Sequence, residues 1–468
     1  MAIIHIAAEC FPIAKVGGLA DVVGALPKYQ NKNNQKAEVI MPFYNVPFLH
    51  NHKFTTLYED ELPLNGKKYF FTIKQLKSDI GFSIYFVDIP ELLYTDYVYS
   101  QKDTLRFVAF QIATLKWITT WEIHPEVVHV HDHHTGLIPF MMTQCYQFGT
   151  LKMIPTVFTI HNAQYQGWFS HNHIEWIPKF DFSKVGLLDW DGMINPMAAA
   201  IKCAWAVTTV SPSYMKELQI NANGLESLLT HEKDKCVGIL NGIDVEVWNP
   251  ETDALLKKNY KRTNLVTGKK TNKNWLCEQY NFHKDKPLIV FIGRFVHDKG
   301  CDLFGKLFSE FLLEMDCSVL ILGSGDVTIQ NELEHLNTLF IGKYKYVSGY
   351  NEPLSHIMYA GADFLLMPSR VEPCGLNQMY ALRYGTIPIV NQVGGLKDTV
   401  VDFKTPNGFG VVMNECSILE MKIAIKNANQ IYADSVLFKS LKNQIMKIDH
   451  SWIASAKEYQ QLYKKLKV

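Results

Sequence analysis

The sequence lacks several patterns that identify common classes of protein. It has 468 residues and nine cysteines, and no two cysteines form a C-x-x-C pair. A dispersed, odd-numbered set of cysteines is typical of a reducing compartment rather than of a disulfide framework, so we expect a cytoplasmic protein. No run of about 18 apolar residues is present, so the sequence predicts no membrane-spanning segment.

A surplus of charge of one sign is also missing. Lysine and arginine together number 46, as do aspartate and glutamate, which gives a formal net charge of +0 at pH 7. No overall field therefore attracts nucleic acid or an anionic membrane, and we expect neither as a partner. The first residues have no basic start, and His5, Glu9 and Pro12 interrupt their apolar run, which argues against a signal peptide.

Two nucleotide-binding patterns are absent as well. The G-x-G-x-x-G fingerprint of dinucleotide-binding domains does not occur, which disfavours a nicotinamide-dependent dehydrogenase. No glycine-rich loop ends in Gly-Lys-Ser or Gly-Lys-Thr, so the sequence predicts no P-loop.

The composition that remains is that of an ordinary globular protein. Hydrophobic residues make up 47% of the chain and charged residues 20%. The length is sufficient for two or three domains. Short apolar runs at residues 3–8, 156–160 and 288–292 are typical of buried parallel strands. Helical patterns lie between such runs, so the sequence predicts an α/β protein.

A glycine loop follows the first predicted strand. Lys15 precedes Gly17 and Gly18, and a helical pattern begins near Asp21. Backbone N–H groups at a helix start bind anions, and the lysine could add a positive charge. The loop therefore suits a phosphate group, although a Gly-Gly pair standing alone is more often an ordinary turn.

Residues 365–400 alternate between strands and polar loops. A predicted strand ends before a loop that carries Glu372, and a helix is predicted to open around Gly375. After the next strand, Gly394–Gly395 forms a second tight loop, and a further helix is predicted from Asp398. Two helix starts after consecutive strands can share one cleft, which suits a negatively charged, polyhydroxylated ligand. Ordinary capped turns are the alternative interpretation.

Histidines are concentrated near the ends of two predicted strands. His129, His131 and His133 alternate within residues 127–134, so one strand face could carry three imidazoles, as in a metal site. His161 follows a later strand, where it could face a cleft or lie in the core, satisfied by the backbone.

Other polar residues follow predicted strands too. Arg294 and Lys299 come after residues 288–292, where two cations could neutralise a diphosphate without a metal ion, or could be solvated surface charges. Asp132 could bind a sugar hydroxyl or cap the helix that follows it. Tyr350 could contact a nucleotide base.

Several motifs together resemble the signature of the glycogen and starch synthase family. They are Lys-Val-Gly-Gly-Leu-Ala-Asp-Val at residues 15–22, Thr-Ile-His-Asn-x-x-Tyr-Gln-Gly at 159–167, Pro-Ser-Arg-x-Glu-Pro-Cys-Gly-Leu-x-Gln-x-Tyr at 368–380, Arg-Tyr-Gly-Thr-x-Pro-Ile-Val at 383–390 and Gly-Gly-Leu-x-Asp-Thr-Val at 394–400. An ordered string of this length is far more specific than a single glycine motif. The resemblance extends over nearly the whole chain, from Ile3 to Tyr463.

This resemblance implies a fold and a reaction. The fold would be GT-B, an α/β architecture of two facing Rossmann-like domains with a deep interdomain cleft. The domains would be residues 1–245 on the acceptor side and 246–445 on the nucleotide-sugar side, with a helix at 446–468 packing back on the first domain. The enzyme would transfer glucose from ADP-glucose or UDP-glucose to the non-reducing end of an α-1,4-glucan with retention, as in glycogen biosynthesis. It would need neither a metal ion nor another cofactor.

The resemblance also implies site residues. Arg294 and Lys299 would stabilise the departing diphosphate, Glu372 would hold glucosyl hydroxyls, and His161 would flank the reacting carbon. The implied substrate-binding residues are Glu9, Lys15, Gly17, Gly18, Asp21, Asp132, Asn162, Asn241, Tyr350, Cys374, Gly375, Leu376, Gly394 and Gly395.

Four positions depart from the family pattern. Ala198 stands where lysine is usual, His133 where tryptophan is usual, and Asn391 and Val393 replace arginine and threonine. Two alternatives to a synthase therefore remain open. One is a glucan-binding or regulatory protein with weakened catalysis, and the other is a GT-B transferase that uses a small acceptor.

Overall fold

Two separate sheets form from the buried apolar runs of the chain. The computed structural model describes residues 2–466. Its contacts divide the chain into unit 1, which is Met1–Gly242 together with Trp452–Val468, and unit 2, which is Ile243–Ser451. Each unit contains strands and helices around its own sheet, which confirms the predicted α/β class.

Unit 1 is built on a nine-stranded sheet. Its strands are β1 (Ile3–Ile6), β2 (Ala37–Pro42), β3 (Phe54–Leu64), β4 (Lys67–Leu76), β5 (Ser83–Asp88), β6 (Val127–His131), β7 (Thr156–Ile160), β8 (Asp189–Trp190), β9 (Met193–Ile194), β10 (Ala206–Thr209) and β11 (Cys236–Gly238). All but the β8–β9 ribbon join in the order β11-β10-β7-β6-β1-β2-β5-β4-β3. The strands from β11 to β5 are parallel. The strand order reverses between β1 and β6, which makes their carboxyl ends the ligand position expected of an open α/β sheet.

An antiparallel hairpin extends this sheet at one edge. β3 pairs with β4, and β4 pairs with β5. Asn65 and Gly66 both have positive φ, 51° and 71°, as a two-residue type I′ turn requires. An Asn-Gly pair is a strong signal of a hairpin turn, so the sequence predicts a turn at Asn65–Gly66, and the structure confirms it.

Helices cover the parallel part of the sheet. They are α1 (Gly18–Lys32), α2 (Pro47–His50), α3 (Thr104–Thr119), α4 (Ile138–Gln144), α5 (Pro196–Cys203), α6 (Pro212–Leu218) and α7 (Glu226–His231). The sequence predicts α3 from its apolar spacing, and the structure confirms it. Nearly every side chain of α3 from Arg106 to Ile118 is buried, so this helix lies inside the unit.

Unit 2 contains a six-stranded sheet in which every strand is parallel to its neighbours. Its strands are β12 (Leu288–Phe295), β13 (Ser318–Gly325), β14 (Tyr344–Ser348), β15 (Phe364–Met367), β16 (Ile387–Asn391) and β17 (Val411–Met413). They lie in the order β14-β13-β12-β15-β16-β17. The order reverses between β12 and β15, so their carboxyl ends form the corresponding ligand position of this unit.

Two helix starts in unit 2 differ from the prediction. The helices are α8 (Leu265–Tyr280), α9 (Phe304–Phe311), α10 (Val327–Leu339), α11 (Glu352–Gly361), α12 (Asn377–Arg383), α13 (Gly394–Thr399), α14 (Ile418–Ala433) and α15 (Ser435–Ile445). α12 begins only at Asn377, because Gly375 adopts a φ of 72° that ends helical geometry there. α13 begins at Gly394, so the start predicted at Asp398 is wrong.

The last helix belongs to unit 1. α16 (Trp452–Leu466) packs against α1, and its Trp452, Tyr459 and Tyr463 are each at most 2% exposed. These rings share a core cluster with Ile3 of the central strand. Ile453, which the sequence assigns to the same apolar face, is 42% exposed and lies outside that cluster.

The cysteines and the helix lengths bear on two sequence-based exclusions. All nine cysteines lie within the described range and are free thiols. Within residues 2–466, no helix combines the length and apolar character needed to cross a membrane. The compartment itself stays a prediction.

A buried ion pair connects α8 to the sheet of unit 2. Lys273 Nζ lies 2.6 Å from Asp363 Oδ2, and both side chains are under 10% exposed. The same carboxylate oxygen accepts the Leu288 N–H at 3.0 Å, which ties the start of β12 to β15. Removing the lysine would leave a buried carboxylate with less compensation.

Lys273→Met is therefore expected to destabilise unit 2 by about 3 kcal/mol. Thermal denaturation followed by calorimetry measures the shift. Lys284→Met is the matched control, because Lys284 makes a solvent-exposed pair with Glu278 and should change the midpoint little. Equal shifts for the two variants would contradict a structural role for the buried pair.

Candidate active site

The loop after β1 closes around Glu9. The Glu9 carboxylate accepts the N–H groups of Val16 at 2.5 Å and Gly17 at 3.0 Å, and the Tyr99 hydroxyl donates to its other oxygen at 2.5 Å. Glu9 is only 3% exposed, so these bonds satisfy a buried carboxylate. Glu9 thus fixes the conformation of the glycine loop through the Val16 and Gly17 amides.

Lys15 does not extend freely from this loop. Its Nζ makes a 2.7 Å ion pair with Asp21 on the first turn of α1. The pair is partly exposed, so water screens it and an anionic ligand could compete for the lysine. Methyl groups placed on Gly17 or Gly18 would meet no atom within 4 Å, which leaves open space beside the loop.

Asp132 lies in a strained turn at the carboxyl end of β6. Its backbone adopts φ 55° and ψ 178°, a conformation that is nearly restricted to glycine. Its Oδ1 accepts the His161 N–H at 2.8 Å, which joins the ends of β6 and β7. The pKa of Asp132 is raised to about 7, chiefly by burial and to a smaller extent by nearby Glu9, against the backbone hydrogen bonds that lower it.

His161 is held from both of its ends. Its backbone is fixed by Asp132, and its Nε2 lies 3.0 Å from Nδ1 of His131. Burial lowers the pKa of His161 to about 3, so the ring is neutral at neutral pH. The Nδ1 of His161 makes no hydrogen bond within residues 2–466 and is available to a ligand.

The two predicted asparagines behave differently. Asn162 Oδ1 accepts the Gln164 N–H at 2.9 Å and so stabilises the turn after His161. Asn241 is 5% exposed, and its side-chain oxygen is buried with no hydrogen-bond partner in the described part of the chain.

The three histidines that the sequence could place on one strand face do not share one. β6 ends at His131, and His133 begins a short 3₁₀ turn, so it does not share a strand face with His129 and His131. The cluster that forms instead contains His5 of β1. Each ring nitrogen of these three clustered histidines already lies within hydrogen-bond distance of a protein group.

In unit 2 the predicted residues follow the carboxyl ends of the strands around the reversal point. Lys299 Nζ lies 2.7 Å from both carboxylate oxygens of Glu372, and the Ser369 hydroxyl donates to Oε2 at 2.9 Å. Glu372 is 6% exposed. Arg294, near the end of β12, is exposed, and its guanidinium makes no hydrogen bond to any other group in residues 2–466. Two cations and one carboxylate therefore lie at one edge of the sheet.

An arginine that the sequence did not single out fixes this arrangement. Arg370 makes a bidentate pair with Asp302 at 2.6 and 2.9 Å and donates to the His297 carbonyl at 2.6 Å. It therefore clamps the loop that carries Glu372 to the turn that carries Lys299. Its place inside the Pro-Ser-Arg-x-Glu motif was the available signal.

Gly395 at this edge serves close packing between two loops. The Gly395 N–H donates to the Glu372 carbonyl at 3.0 Å. The family resemblance assigns Gly395 to substrate binding, but its amide is already bonded within the protein. A methyl group on Gly395 would lie 2.1 Å from the Cys374 carbonyl oxygen, which shows how tightly the two loops touch. α12 and α13 span only 7 and 6 residues. Their dipoles are therefore smaller than those of longer helices, which weakens the predicted binding of an anion at their starts.

The remaining predicted positions lie at the same edge. Cys374 is buried, Leu376 is half-buried beside Gly375, and Gly394 opens α13 with a φ of 44°. Tyr350 follows β14, is 76% exposed, and donates its hydroxyl to Glu352 at 2.6 Å.

Sequence profiles of known families match both units. Residues 2–231 match the starch synthase catalytic domain, and residues 272–428 match glycosyl transferases group 1. A glycogen synthase from Flavobacterium johnsoniae is 45% identical over 467 residues, covering 99% of this chain and 98% of its own. A glycogen synthase from Geobacillus stearothermophilus is 36% identical over 477 residues, covering 100% of this chain and 98% of its own. The chain belongs to the glycogen and starch synthase family of glucosyltransferases.

Solved structures agree with this family. The catalytic domain of starch synthase IV from Arabidopsis thaliana, bound to ADP and acarbose, has a TM-score of 0.91, 32% identity and 99% coverage of each chain. A sucrose-phosphate synthase from Thermosynechococcus elongatus, with a TM-score of 0.63 and 17% identity, shares the fold alone. The predicted GT-B class is confirmed.

Three of the four departures from the glycogen synthase pattern make defined contacts in this chain. Asn391 donates its side-chain amide to the Ser369 carbonyl at 2.9 Å and so supports the Glu372 loop in place of the usual arginine. Ala198 is fully buried in the first turn of α5, where its N–H donates to Asn195 at 3.0 Å. The His133 ring lies against that of His134, with the ring centroids 3.7 Å apart and the planes tilted by 36°.

Asp132 makes unit 1 of this synthase-family protein sensitive to pH. An unfolded aspartate loses its proton near its ordinary pKa of 3.8, whereas folded Asp132 keeps it until about pH 7. The folded state thus binds more protons over this window, and stability falls as pH rises, by about 4 kcal/mol in all. Asp132→Asn keeps an acceptor for the His161 N–H and removes the titration.

Calorimetric unfolding midpoints at pH 5 and pH 8 test this prediction. Wild-type protein should lose stability relative to Asp132→Asn as pH rises. Asp181→Asn is the control, because exposed Asp181 also accepts a backbone N–H and backbone hydrogen bonding lowers its pKa below this window. If both variants show the wild-type pH dependence, the titration of Asp132 does not cause the loss of stability, and the prediction is wrong.

Proposed function

We propose that this protein is a glycogen synthase that transfers glucose from ADP-glucose to the non-reducing end of an α-1,4-glucan with retention. The observation that carries the proposal is the Lys299–Glu372 pair, together with exposed Arg294 near the end of β12, the strand that precedes Lys299. A phosphate-binding cation and a hydroxyl-binding carboxylate, joined at a strand-order reversal, match the two ends of a sugar diphosphate. Relatives named glycogen synthase over the full length support the glucan acceptor.

The adenine nucleotide is proposed from a similar solved structure. Starch synthase IV from Arabidopsis thaliana was solved with ADP and acarbose. UDP-glucose is the competing donor, and a direct comparison of the two donors decides between them.

The cations of unit 2 are proposed to bind the diphosphate. Within the described residues 2–466 the Arg294 side chain makes no ion pair, so it can bind an anion without first breaking one. Lys299 already contacts Glu372, and a bound diphosphate would share or displace that contact. Glu372 would then accept hydrogen bonds from glucosyl hydroxyls. Tyr350, Cys374, Gly375, Leu376 and Gly394 are proposed to line the donor. Gly395 is proposed to act through its packing.

The proposed chemical step is attack on the same face from which the diphosphate leaves. The bond between the anomeric carbon and the diphosphate oxygen breaks, and the acceptor 4-hydroxyl oxygen bonds to that carbon. The hydroxyl proton passes to the departing diphosphate. Arg294 and Lys299 stabilise the negative charge that develops on this leaving group.

For unit 1 we propose contacts to the sugars. His161 is neutral, so it adds no positive charge beside a carbon that becomes oxocarbenium-like. Asp132 and Asn241 are buried polar groups suited to hydroxyls, and Asn162 shapes the turn that follows His161. The proposed loop contacts are Glu9, Lys15, Gly17, Gly18 and Asp21.

Glu372→Gln is expected to reduce glucose incorporation into glycogen by at least about a hundredfold, because it removes the charge that orients both the sugar and Lys299. The assay follows radiolabel from ADP-glucose and, separately, from UDP-glucose. Glu310→Gln, on an exposed turn of α9 in the same unit, is the control and should keep full activity.

The same assay can reject the proposal. Wild-type protein that labels glycogen from neither donor is not a glycogen synthase. Tight glycogen binding without donor consumption would indicate a glucan-binding protein instead. Label in maltose but not in glycogen would indicate a small-acceptor transferase.

A further inference from the structure

A chain of buried histidines leads from the core of unit 1 to His161. His161 Nε2 lies 3.0 Å from His131 Nδ1, and His131 Nε2 lies 3.1 Å from His5 Nδ1. The far nitrogen of His5 lies 2.8 Å from the side-chain oxygen of Gln30 on α1. Two rings on adjacent strands and a third just after the next strand thus connect a helix to the candidate site.

All three rings are neutral. His5 and His131 are 0% exposed, and burial lowers the pKa of His5 to about 4, of His161 to about 3, and of His131 well below its ordinary value. A neutral imidazole has one N–H and one bare nitrogen. Each ring that accepts on one side must therefore donate on the other.

The direction of donation starts at Gln30. Its carbonyl oxygen can only accept, so His5 donates from Nε2 and accepts on Nδ1. His131 then donates from Nε2 and accepts on Nδ1, and His161 donates from Nε2. His161 is left with a bare Nδ1, the nitrogen that makes no hydrogen bond within residues 2–466.

A branch through Tyr463 of α16 is compatible with this orientation of Gln30. The Gln30 amide nitrogen donates to the Tyr463 hydroxyl at 3.3 Å, and that hydroxyl donates to His129 Nδ1 at 2.7 Å. His129 then donates from Nε2 to Thr159 at 2.6 Å. Each polar group along this branch, from Gln30 through Tyr463 and His129 to Thr159, then has a hydrogen-bond partner, and donation runs away from Gln30.

The opposite sense is also self-consistent, which makes Gln30 decisive. Turning its amide by half a rotation would present an N–H to His5 and reverse each imidazole in turn. His161 would then carry its proton on Nδ1 and offer a ligand a donor rather than an acceptor. The distances between heavy atoms would stay the same.

We propose that Gln30, acting through His5 and His131, sets the tautomer of His161 so that a bare Nδ1 accepts a hydrogen bond from a sugar hydroxyl. Gln30 is a positioning residue, since it acts through other side chains. The sugar contact rests on the function proposed above, whereas the tautomer is a property of the free protein.

The tautomer can be read directly. In protein labelled with ¹⁵N-histidine, the ¹⁵N chemical shifts distinguish protonated from bare ring nitrogens, and the His161→Asn spectrum identifies the His161 signals. Wild-type protein should show His161 protonated on Nε2. Protonation on Nδ1 would overturn the proposal without any further variant.

Gln30→Met removes the acceptor while keeping the side-chain size. His5 would otherwise keep an unsatisfied N–H, so the chain is expected to reverse in part and populate His161 protonated on Nδ1. Tyr463→Phe removes one oxygen, loosens the Gln30 orientation, and should act in the same direction. A His161 tautomer unchanged in both variants would overturn the proposal.

Gln111→Met is the matched control. Gln111 of α3 is 1% exposed and likewise makes two side-chain hydrogen bonds, to Phe107 and Leu137, neither of which is in the histidine chain. It should leave the His161 tautomer as in wild type. An equal tautomer change in Gln111→Met would show a general loss of packing and contradict the proposal.

Activity gives an independent reading. If the function proposed above holds, Gln30→Met should lower kcat for glucan synthesis by about tenfold, as for one lost hydrogen bond, with little change in donor KM. If His161 is protonated on Nε2 but the protein makes no glucan, only the proposed function is contradicted. A reversed tautomer with unchanged kcat would sink the sugar contact that the tautomer is proposed to serve.

Discussion

The ion pair between Lys299 and Glu372 is the interaction on which the candidate site of unit 2 depends. It joins the turn after β12 to the loop after β15, and these two strands flank the reversal of strand order. A half-buried pair of this kind is worth little as stability, because desolvation offsets much of its attraction. Its value lies in placement, and Arg370 holds both loops so that the two side chains meet.

In unit 1 the side chains of the candidate site are held in place mainly by neutral groups. Its reversal point lies between β1 and β6, and the side chains there form a buried hydrogen-bonded network. Such networks are costly when one member is unsatisfied and rigid when all are satisfied. Asp132 adds strain to this rigidity, since its backbone conformation persists only because the His161 N–H and the surrounding core fix it.

The sequence predicts the parts of this structure that local patterns determine. Buried strands, the Asn65–Gly66 turn and the residues after strand ends follow from periodicity and turn chemistry. Contacts between distant segments do not. Nothing in residues 127–134 indicates that His5 completes the histidine cluster in place of His133, because strand adjacency decides it. The start of α13 was missed because it depends on a contact between distant loops, in which the Gly395 N–H donates to the Glu372 carbonyl.

The charges that the two units carry differ, and each fits a different part of the proposed glucosyl transfer. Unit 2 presents Arg294 and Lys299, fixed positive charges suited to a leaving group that gains negative charge. Unit 1 presents His161, whose burial keeps the ring uncharged at neutral pH. A protonated histidine there would oppose positive charge on a reacting sugar carbon, whereas a neutral ring does not. Burial of the histidine chain is therefore a requirement of the proposed chemistry as well as of the fold.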